Sequence, residues 1–208
     1  MSLRSRIGKE KLWARFGLVL LCVLWLLPQV CLAQRSGEAE EYQAKTALIY
    51  NFAKFVTWPQ EVYADADAPF VIATLGSNPF GRTLNLLNGK KMHGRSIEVR
   101  HFADVDEYQS CQILYCSVDD LQLLANQDSE PLEYVLTIGE KEGFAAGGGI
   151  VLFTFVNDHL AFKINVGAAR KANLEISANL FRLAADLIDD GDADGLIDDG
   201  EMVGMLDL

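Results

Sequence analysis

The sequence predicts an α/β domain, a single mixed β-sheet flanked by helices. Between about residues 40 and 156, short apolar runs of strand length alternate with segments whose apolar residues recur at helical spacing. Two strongly β-favouring runs then flank Asn157-Asp158, a pair of residues typical of a tight hairpin turn. Alternating strands and helices favour parallel pairing, and the hairpin adds an antiparallel pair, so the sheet should be mixed.

The first helix is predicted from about Glu40 to Val56, because its apolar residues share one helical face. Trp58-Pro59 should end it, since a residue before proline avoids helical dihedral angles. Six strands are then predicted, at Phe70–Leu75, Ile97–Arg100, Gln112–Ser117, Tyr134–Ile138, Ile150–Val156 and Leu160–Ile164.

Three further helices are expected from start signals and periodic apolar residues. They run from Asn78 to Leu87, from Ser117 or Asp119 through Leu124, and from Ser177 to Ile188. The last rests on a stripe formed by Ile176, Leu180, Leu183, Ala184 and Leu187. This C-terminal helix is expected to lead directly into an acidic loop at residue 190.

Residues 1–33 have the three parts of a cleavable signal peptide. Five basic residues and one acid precede an apolar run, and Cys31-Leu32-Ala33 supplies small residues at a cleavage site. A spanning helix needs roughly 20 apolar residues, and Pro28 ends the run too early for a membrane anchor. We therefore expect an exported chain with no direct membrane anchor.

The mature chain is expected to be strongly acidic. Removing the signal takes away five basic residues and one acid, which moves the formal net charge from −11 to −15. Nucleic-acid binding rests on neutralising phosphates with lysine and arginine, so this charge argues against nucleic acid as a partner. It disfavours an anionic lipid surface for the same reason.

Two of the four cysteines, Cys111 and Cys116, would remain after cleavage. On one strand, five residue steps would place their Cα atoms about 16 Å apart, whereas a disulfide needs about 7 Å or less. We expect two buried thiols, with an intermolecular bridge as the alternative.

Residues 190–201 match the twelve-residue calcium loop of an EF-hand, with a glycine at position 6 for the sharp turn. The candidate ligands are the carboxylates of Asp190, Asp192, Asp194, Asp198 and Glu201, and the backbone carbonyl of Leu196. No second loop is present, so Ca²⁺ affinity should be weak, about 10⁻⁴ to 10⁻³ M as in extracellular modules. The alternative is a solvated acidic tail.

No sequence pattern demands an enzyme. His93, His101 and His159 have no metal-site spacing, and the remaining cysteines lack a nucleophile signature. The glycines at 147–149 precede a strand, whereas a phosphate cradle needs them before a helix. We read them as a tight turn or a bulge.

Several stretches carry a family resemblance. Residues 50–59 read Tyr-Asn-Phe-Ala-Lys-Phe-Val-Thr-Trp-Pro, and residues 75–81, 111–114, 143–149, 163–172 and 174–177 follow in the family's order. Over about Tyr42 to Leu187 the chain resembles the YfiR-like family of periplasmic regulators. The domain boundaries that we expect are 1–33 for the signal, 40–189 for the α/β domain and 190–201 for the loop.

The resemblance implies a periplasmic α/β domain that is not an enzyme. Family members are similar to a repressor that holds an inner-membrane diguanylate cyclase inactive by contact with its periplasmic part, which lowers cyclic di-GMP and biofilm formation. The family pattern allows disulfides, but Cys111 has no evident partner here, and the calcium-like loop lies beyond the family domain. A homodimer is an open alternative partner.

The expected partner- or ligand-binding residues are Tyr50, Asn51, Lys54, Trp58 and Arg170. Tyr50 and Lys54 lie four apart on the first helix, off its apolar stripe, and aromatics are enriched at interfaces. In the alternative reading Tyr50 and Trp58 belong to the core, Lys54 is merely solvated, and Arg170 only caps a sheet edge. A second hypothesis is a periplasmic small-molecule sensor in which Asn51, Lys54 and Arg170 line a cleft.

Overall fold

The computed structural model describes residues 37–126 and 132–189. The chain divides into two compact units, residues 1–44 and 45–208. Residues 37–44 of the first unit are helical. The predicted signal peptide and the predicted calcium loop both lie outside the described residues.

The described residues of the second unit form one eight-stranded sheet and a separate two-stranded ribbon. The ten strands, in chain order, are β1 Val56–Thr57, β2 Phe70–Leu75, β3 Lys91–Met92, β4 Arg95–Phe102, β5 Ile113–Tyr115, β6 Leu136–Gly139, β7 Val151–Val156, β8 His159–Asn165, β9 Glu175–Ile176 and β10 Asp186–Ile188. The large sheet has the order β10-β8-β7-β6-β5-β2-β4-β3, and β1 pairs with β9. Strands β3 and β10 are therefore its two edges.

Pairing in the large sheet is mixed, as predicted. β2 is parallel to β4 and β5, β6 is parallel to β5 and β7, and β10 is parallel to β8. The β3–β4 and β7–β8 pairs are antiparallel. Asn157 and Asp158 have φ angles of 49° and 62°, which is the left-handed geometry that a two-residue hairpin turn requires.

Four α-helices accompany the strands among residues 45–126 and 132–189. They are α1 over residues 45–55, α2 Val118–Ala125, α3 Val166–Lys171 and α4 Ala178–Phe181. Three 3-10 helices occupy Gln60–Val62, Leu84–Leu87 and Val105–Glu107. Within residues 37–126 and 132–189, no helix has both the length and the apolar character to cross a membrane.

The core lies on both faces of the large sheet. On one face Phe52 of α1 packs on the rings of Phe153 and Phe162, with centroids 6.0 and 4.8 Å apart. On the other face a buried cluster joins Leu121 and Leu124 of α2 to residues of β2 and β5. The Ser117 side chain accepts a hydrogen bond from the Asp120 backbone N–H and caps α2, which is one of the two starts that the sequence predicted.

The predicted helix from Ser177 to Ile188 is wrong. Only one turn, α4, forms, and residues 186–188 become strand β10 beside β8. Of the predicted apolar stripe Leu180 is buried, while Leu183 is 63% exposed. Pairing with β8 supplies backbone hydrogen bonds that the weak helical preference does not outweigh. The element preceding residue 190 is therefore a strand.

The predicted helix from Asn78 to Leu87 is also wrong in extent. Turns occupy residues 79–82, and only Leu84–Leu87 forms a 3-10 helix. Gly81 has a φ of 54°, which right-handed helical backbone does not allow. Leu84 and Leu87 are both buried. The apolar residues that suggested a long helix therefore pack into the core from a shorter 3-10 helix.

Candidate functional site

Tyr50 is the centre of an exposed polar surface on α1. Lys54 lies one turn further along the helix, and its Nζ is 4.4 Å from the centroid of the Tyr50 ring. The same ammonium donates a hydrogen bond of 3.2 Å to Oδ1 of Asn51. Tyr50, Asn51 and Lys54, three of the residues predicted to bind a partner or ligand, therefore contact one another on α1.

The β3 edge contributes two further lysines to this surface. The Tyr50 hydroxyl donates a hydrogen bond of 3.5 Å to the backbone carbonyl of Lys91, and Nζ of Lys90 lies 5.5 Å from the Tyr50 ring centroid. Both lysines are exposed. We refer to Tyr50, Asn51, Lys54, Lys90 and Lys91 as the Tyr50 surface.

The turn between β3 and β4 holds that edge against α1. His93, with a φ of 49°, places Nε2 2.6 Å from the backbone carbonyl of Ala53. Ala53 lies in the last turn of α1, where carbonyls have no partner within the helix. The imidazole must donate, so its Nε2 carries a proton. This contact fixes the position of Lys90 and Lys91 relative to Tyr50.

Trp58 supports the surface from within the core. Its side chain is only 6% exposed, its ring meets Phe70 edge to face with centroids 4.9 Å apart, and it lies 6.1 Å from the His93 ring. Nε1 donates a hydrogen bond of 2.7 Å to the backbone carbonyl of Tyr134. Of the two readings left open by the sequence, the structure places Trp58 in the core.

Arg170 lies on α3, among different neighbours. Its guanidinium forms a 3.2 Å ion pair with Asp189, which follows edge strand β10, and its side chain is 62% exposed. Lys91 belongs to the opposite edge strand of the sheet. In residues 37–126 and 132–189, no hydrogen bond, ion pair or ring contact joins Arg170 to Asn51 or Lys54. The structure thus gives no contact support for the three-residue cleft.

A cavity of about 480 Å³ lies beside α3, away from the Tyr50 surface. Apolar side chains such as Leu132, Val135 and Ile150 line it together with the polar Lys171 and Asn173. The Asn173 amide donates to Glu133, 2.8 Å away. None of the five predicted partner residues lines this cavity.

The buried thiols are unsuited to nucleophilic chemistry. Cys111 and Cys116 are free and buried, as predicted. Burial raises the pKa of Cys111 to about 12, and raises the pKa of Cys116 as well. The reactive species of cysteine is the thiolate, so both groups stay protonated and inert at neutral pH.

Among the described residues, no three histidine, cysteine or acidic side chains form a group that could hold a metal ion. The predicted calcium ligands from Asp190 to Glu201 lie beyond them. Thr74 and His101, 2.9 Å apart, form a single hydrogen-bonded pair across β2 and β4. The sequence did not indicate Lys90, Lys91 or His93 as site residues, because their place depends on how the β3–β4 turn docks on α1.

These features define an α/β domain with a mixed sheet that presents a lysine- and tyrosine-bearing surface on its first helix. The chain belongs to the YfiR/HmsC-like family, whose pattern matches residues 42–185. Members of this family are periplasmic regulators connected with cyclic di-GMP signalling.

A crystal structure of a conserved domain protein from Vibrio cholerae O1 biovar El Tor strain N16961 is similar to 70% of this chain, with 13% sequence identity and a TM-score of 0.45. The match covers 60% of that protein's chain. No curated protein matches the sequence.

Proposed function

We propose that this protein is a periplasmic repressor of an inner-membrane diguanylate cyclase. In this proposal it binds the periplasmic region of the cyclase and keeps its cytoplasmic catalytic part inactive, which lowers cyclic di-GMP and limits biofilm formation. The observation that carries the proposal is membership of the YfiR/HmsC-like family over residues 42–185. The protein itself performs no chemistry in this role.

The Tyr50 surface is the proposed contact for the partner. It combines an aromatic ring with exposed donors, a composition that suits protein interfaces. Tyr50, Asn51 and Lys54 would touch the partner, while buried Trp58 would hold the end of α1 in place. Arg170, already paired with Asp189, is a separate candidate contact near the opposite edge of the sheet.

Export is part of the same proposal. Cleavage after Ala33 would deliver residues 34–208 to the periplasm, on the side of the membrane where the cyclase sensor region lies. Ca²⁺ binding by residues 190–201 would add a weak site in a compartment that exchanges ions with the exterior. Amino-terminal sequencing of the protein from a periplasmic extract tests the cleavage position, and a mature chain that still carries residues 1–33 would contradict it.

Reconstitution tests the repressor function directly. Membranes that contain the cyclase are incubated with purified residues 34–208, and the synthesis of cyclic di-GMP from GTP is measured. Synthesis should fall with a saturable dependence on protein concentration. The Lys141→Ala protein is a control for a substitution outside the Tyr50 surface, because Lys141 is exposed and does not belong to that surface. It should inhibit the synthesis of cyclic di-GMP as strongly as the wild-type protein. Unchanged synthesis with every host cyclase that has a periplasmic region would overturn the proposal.

A further inference from the structure

The Tyr50 surface collects positive charge that the described chain leaves unneutralised. Lys54, Lys90 and Lys91 are all exposed. Within residues 37–126 and 132–189, none of them has a carboxylate within ion-pair distance. Other cations do have such partners, including Lys45 with Glu140 and Lys163 with Asp186. The full chain carries a net charge of −11, and yet, as far as the structure describes it, these three lysines have no carboxylate as an ion-pair partner.

The clustering of these lysines is itself unfavourable. Because Nζ of Lys54 and Nζ of Lys90 both lie close to the centroid of the Tyr50 ring, they are no more than about 10 Å apart. Like charges within about one Debye length repel each other, and the Tyr50 ring offsets only part of this by cation–π attraction. An anion bound close to both ammonium groups would attract each of them and so offset their mutual repulsion.

The contacts around Tyr50 also order the charged groups in advance. Lys54 is held by Asn51 and by the ring, and Tyr50 is linked to Lys91 of β3. Lysine side chains otherwise lose considerable rotamer freedom on binding. Ammonium groups that are already partly ordered would bind an anion with a smaller entropic cost.

The exposure of the three lysine side chains indicates what kind of partner the Tyr50 surface suits. Small-molecule sites are concave and bury most of the ligand, whereas Lys54, Lys90 and Lys91 are all exposed. Lysines act as point charges without the fixed fork geometry of arginine. An exposed group of lysines beside an edge strand therefore suits an extended polyanionic chain better than one small, rigid anion.

We propose that the Tyr50 surface docks a carboxylate-rich segment of a partner protein. The identity of that partner as the cyclase rests on the function proposed above, but the charge preference of the surface does not. Lys54 and Lys90 supply the principal electrostatic contacts, Lys91 adds a third charge at the sheet edge, and the Tyr50 ring packs against the bound segment.

Binding to a labelled poly-L-glutamate probe tests the charge preference without the cyclase. Fluorescence anisotropy should show that residues 34–208 bind it, and that raising the salt concentration weakens binding. The Lys54→Glu/Lys90→Glu protein should bind at least about tenfold more weakly. The Lys141→Glu protein makes the same charge change at another exposed lysine and should weaken binding far less. Circular dichroism spectra that superimpose for all proteins establish equal folding, and Lys54→Gln/Lys90→Gln serves if the double reversal misfolds.

In these binding assays with model anions, two results would overturn the proposal. One is equal loss of poly-L-glutamate binding in the Lys54→Glu/Lys90→Glu and Lys141→Glu proteins, which would mean a diffuse charge effect. The other is saturable binding of inorganic phosphate at this surface with no binding of poly-L-glutamate, which would mean a small-anion site.

A second measurement separates this proposal from the repressor function. The wild-type and Lys54→Glu/Lys90→Glu proteins are compared for binding to the periplasmic region of the cyclase. Binding by wild type that the double reversal leaves unchanged overturns the docking surface and leaves the repressor function intact. Loss of poly-L-glutamate and cyclase binding together supports the docking surface. Absence of cyclase binding even by wild type counts against the repressor function, while the poly-L-glutamate result still decides the charge preference.

Discussion

The indole of Trp58 donates a hydrogen bond to the backbone carbonyl of Tyr134, with 2.7 Å between Nε1 and the oxygen. The backbone N–H of Tyr134 donates in turn to the carbonyl of Ala172, also over 2.7 Å. Tyr134 lies before β6, and Ala172 follows α3. Tyr134 thus connects Trp58, which follows the end of α1, with Ala172, which follows the end of α3. These bonds make Trp58 a structural support for the Tyr50 surface.

Trp58→Phe should destabilise the fold by about 1–3 kcal/mol, because it leaves the Tyr134 carbonyl without its indole donor. Urea unfolding followed by circular dichroism measures this free energy of unfolding. Tyr50→Phe is the control, since it removes only a long, exposed hydrogen bond of 3.5 Å and should cost under about 0.5 kcal/mol. Equal stability of the wild-type and Trp58→Phe proteins would show that the indole contact does not hold α1.

Gly149→Ala should be strongly destabilising for a steric reason. The buried Phe144 ring lies against Gly139 and Gly149, and a methyl group on either glycine would overlap it. Overpacking of this kind costs about 1–3 kcal/mol, occasionally more.

The control for Gly149→Ala is Gly37→Ala, because a methyl group at this helical position meets no atom within 4 Å. It should be neutral or slightly stabilising. Thermal unfolding compares the two variants, and a Gly149→Ala protein as stable as wild type would contradict this packing of Phe144.

The two buried thiols should make the stability of the folded protein depend on pH. Because burial raises the pKa of Cys111 to about 12, the unfolded chain ionises this thiol at a lower pH than the folded one does. The contribution of the buried Cys111 thiol to the free energy of unfolding is complete below the unfolded pKa, near 8.5, and should be lost as pH rises towards 12.

At pH 8 a disulfide-exchange reagent should label neither cysteine in the native protein and both in denaturant. Rapid native labelling would contradict their burial.

Calcium binding by residues 190–201 is a separate prediction. Calorimetry of the mature protein with millimolar Ca²⁺ should show weak binding, with a Kd of about 10⁻⁴ to 10⁻³ M. Asp190→Ala removes the first carboxylate ligand and should abolish the heat. If the wild-type protein gives no heat, or Asp190→Ala gives the same heat, the acidic tail is not a calcium site.

Local patterns predicted the interior of the sheet well. The strand Phe70–Leu75 has the predicted bounds and is buried throughout, and the hairpin at Asn157-Asp158 pairs β7 with β8 as expected. Such elements are predictable because a continuous apolar run or a turn pair suits few other structures. The cap at Ser117 was one of two helix starts that the sequence predicted, the other being Asp119.

The edges of the sheet and the composition of the site were much harder to predict. Strand β10 has a helical pattern but is held by β8, a partner that no local signal reveals. From the sequence, Lys90 and Lys91 were predicted only as part of a polar turn. Their place beside Tyr50 follows from the contact between His93 and the backbone carbonyl of Ala53. Tyr50, Asn51 and Lys54 were predicted together because one helix carries them, whereas Arg170 requires long-range geometry.

The level of cyclic di-GMP in cells that lack this protein tests the central claim most directly. Deleting the gene should raise the cyclic di-GMP concentration, measured by mass spectrometry of cell extracts, and expression of residues 1–208 should restore the original level. The rise should be absent when the partner cyclase is deleted as well. A deletion strain whose cyclic di-GMP and biofilm stay at the wild-type level would contradict the assignment of this protein as a repressor.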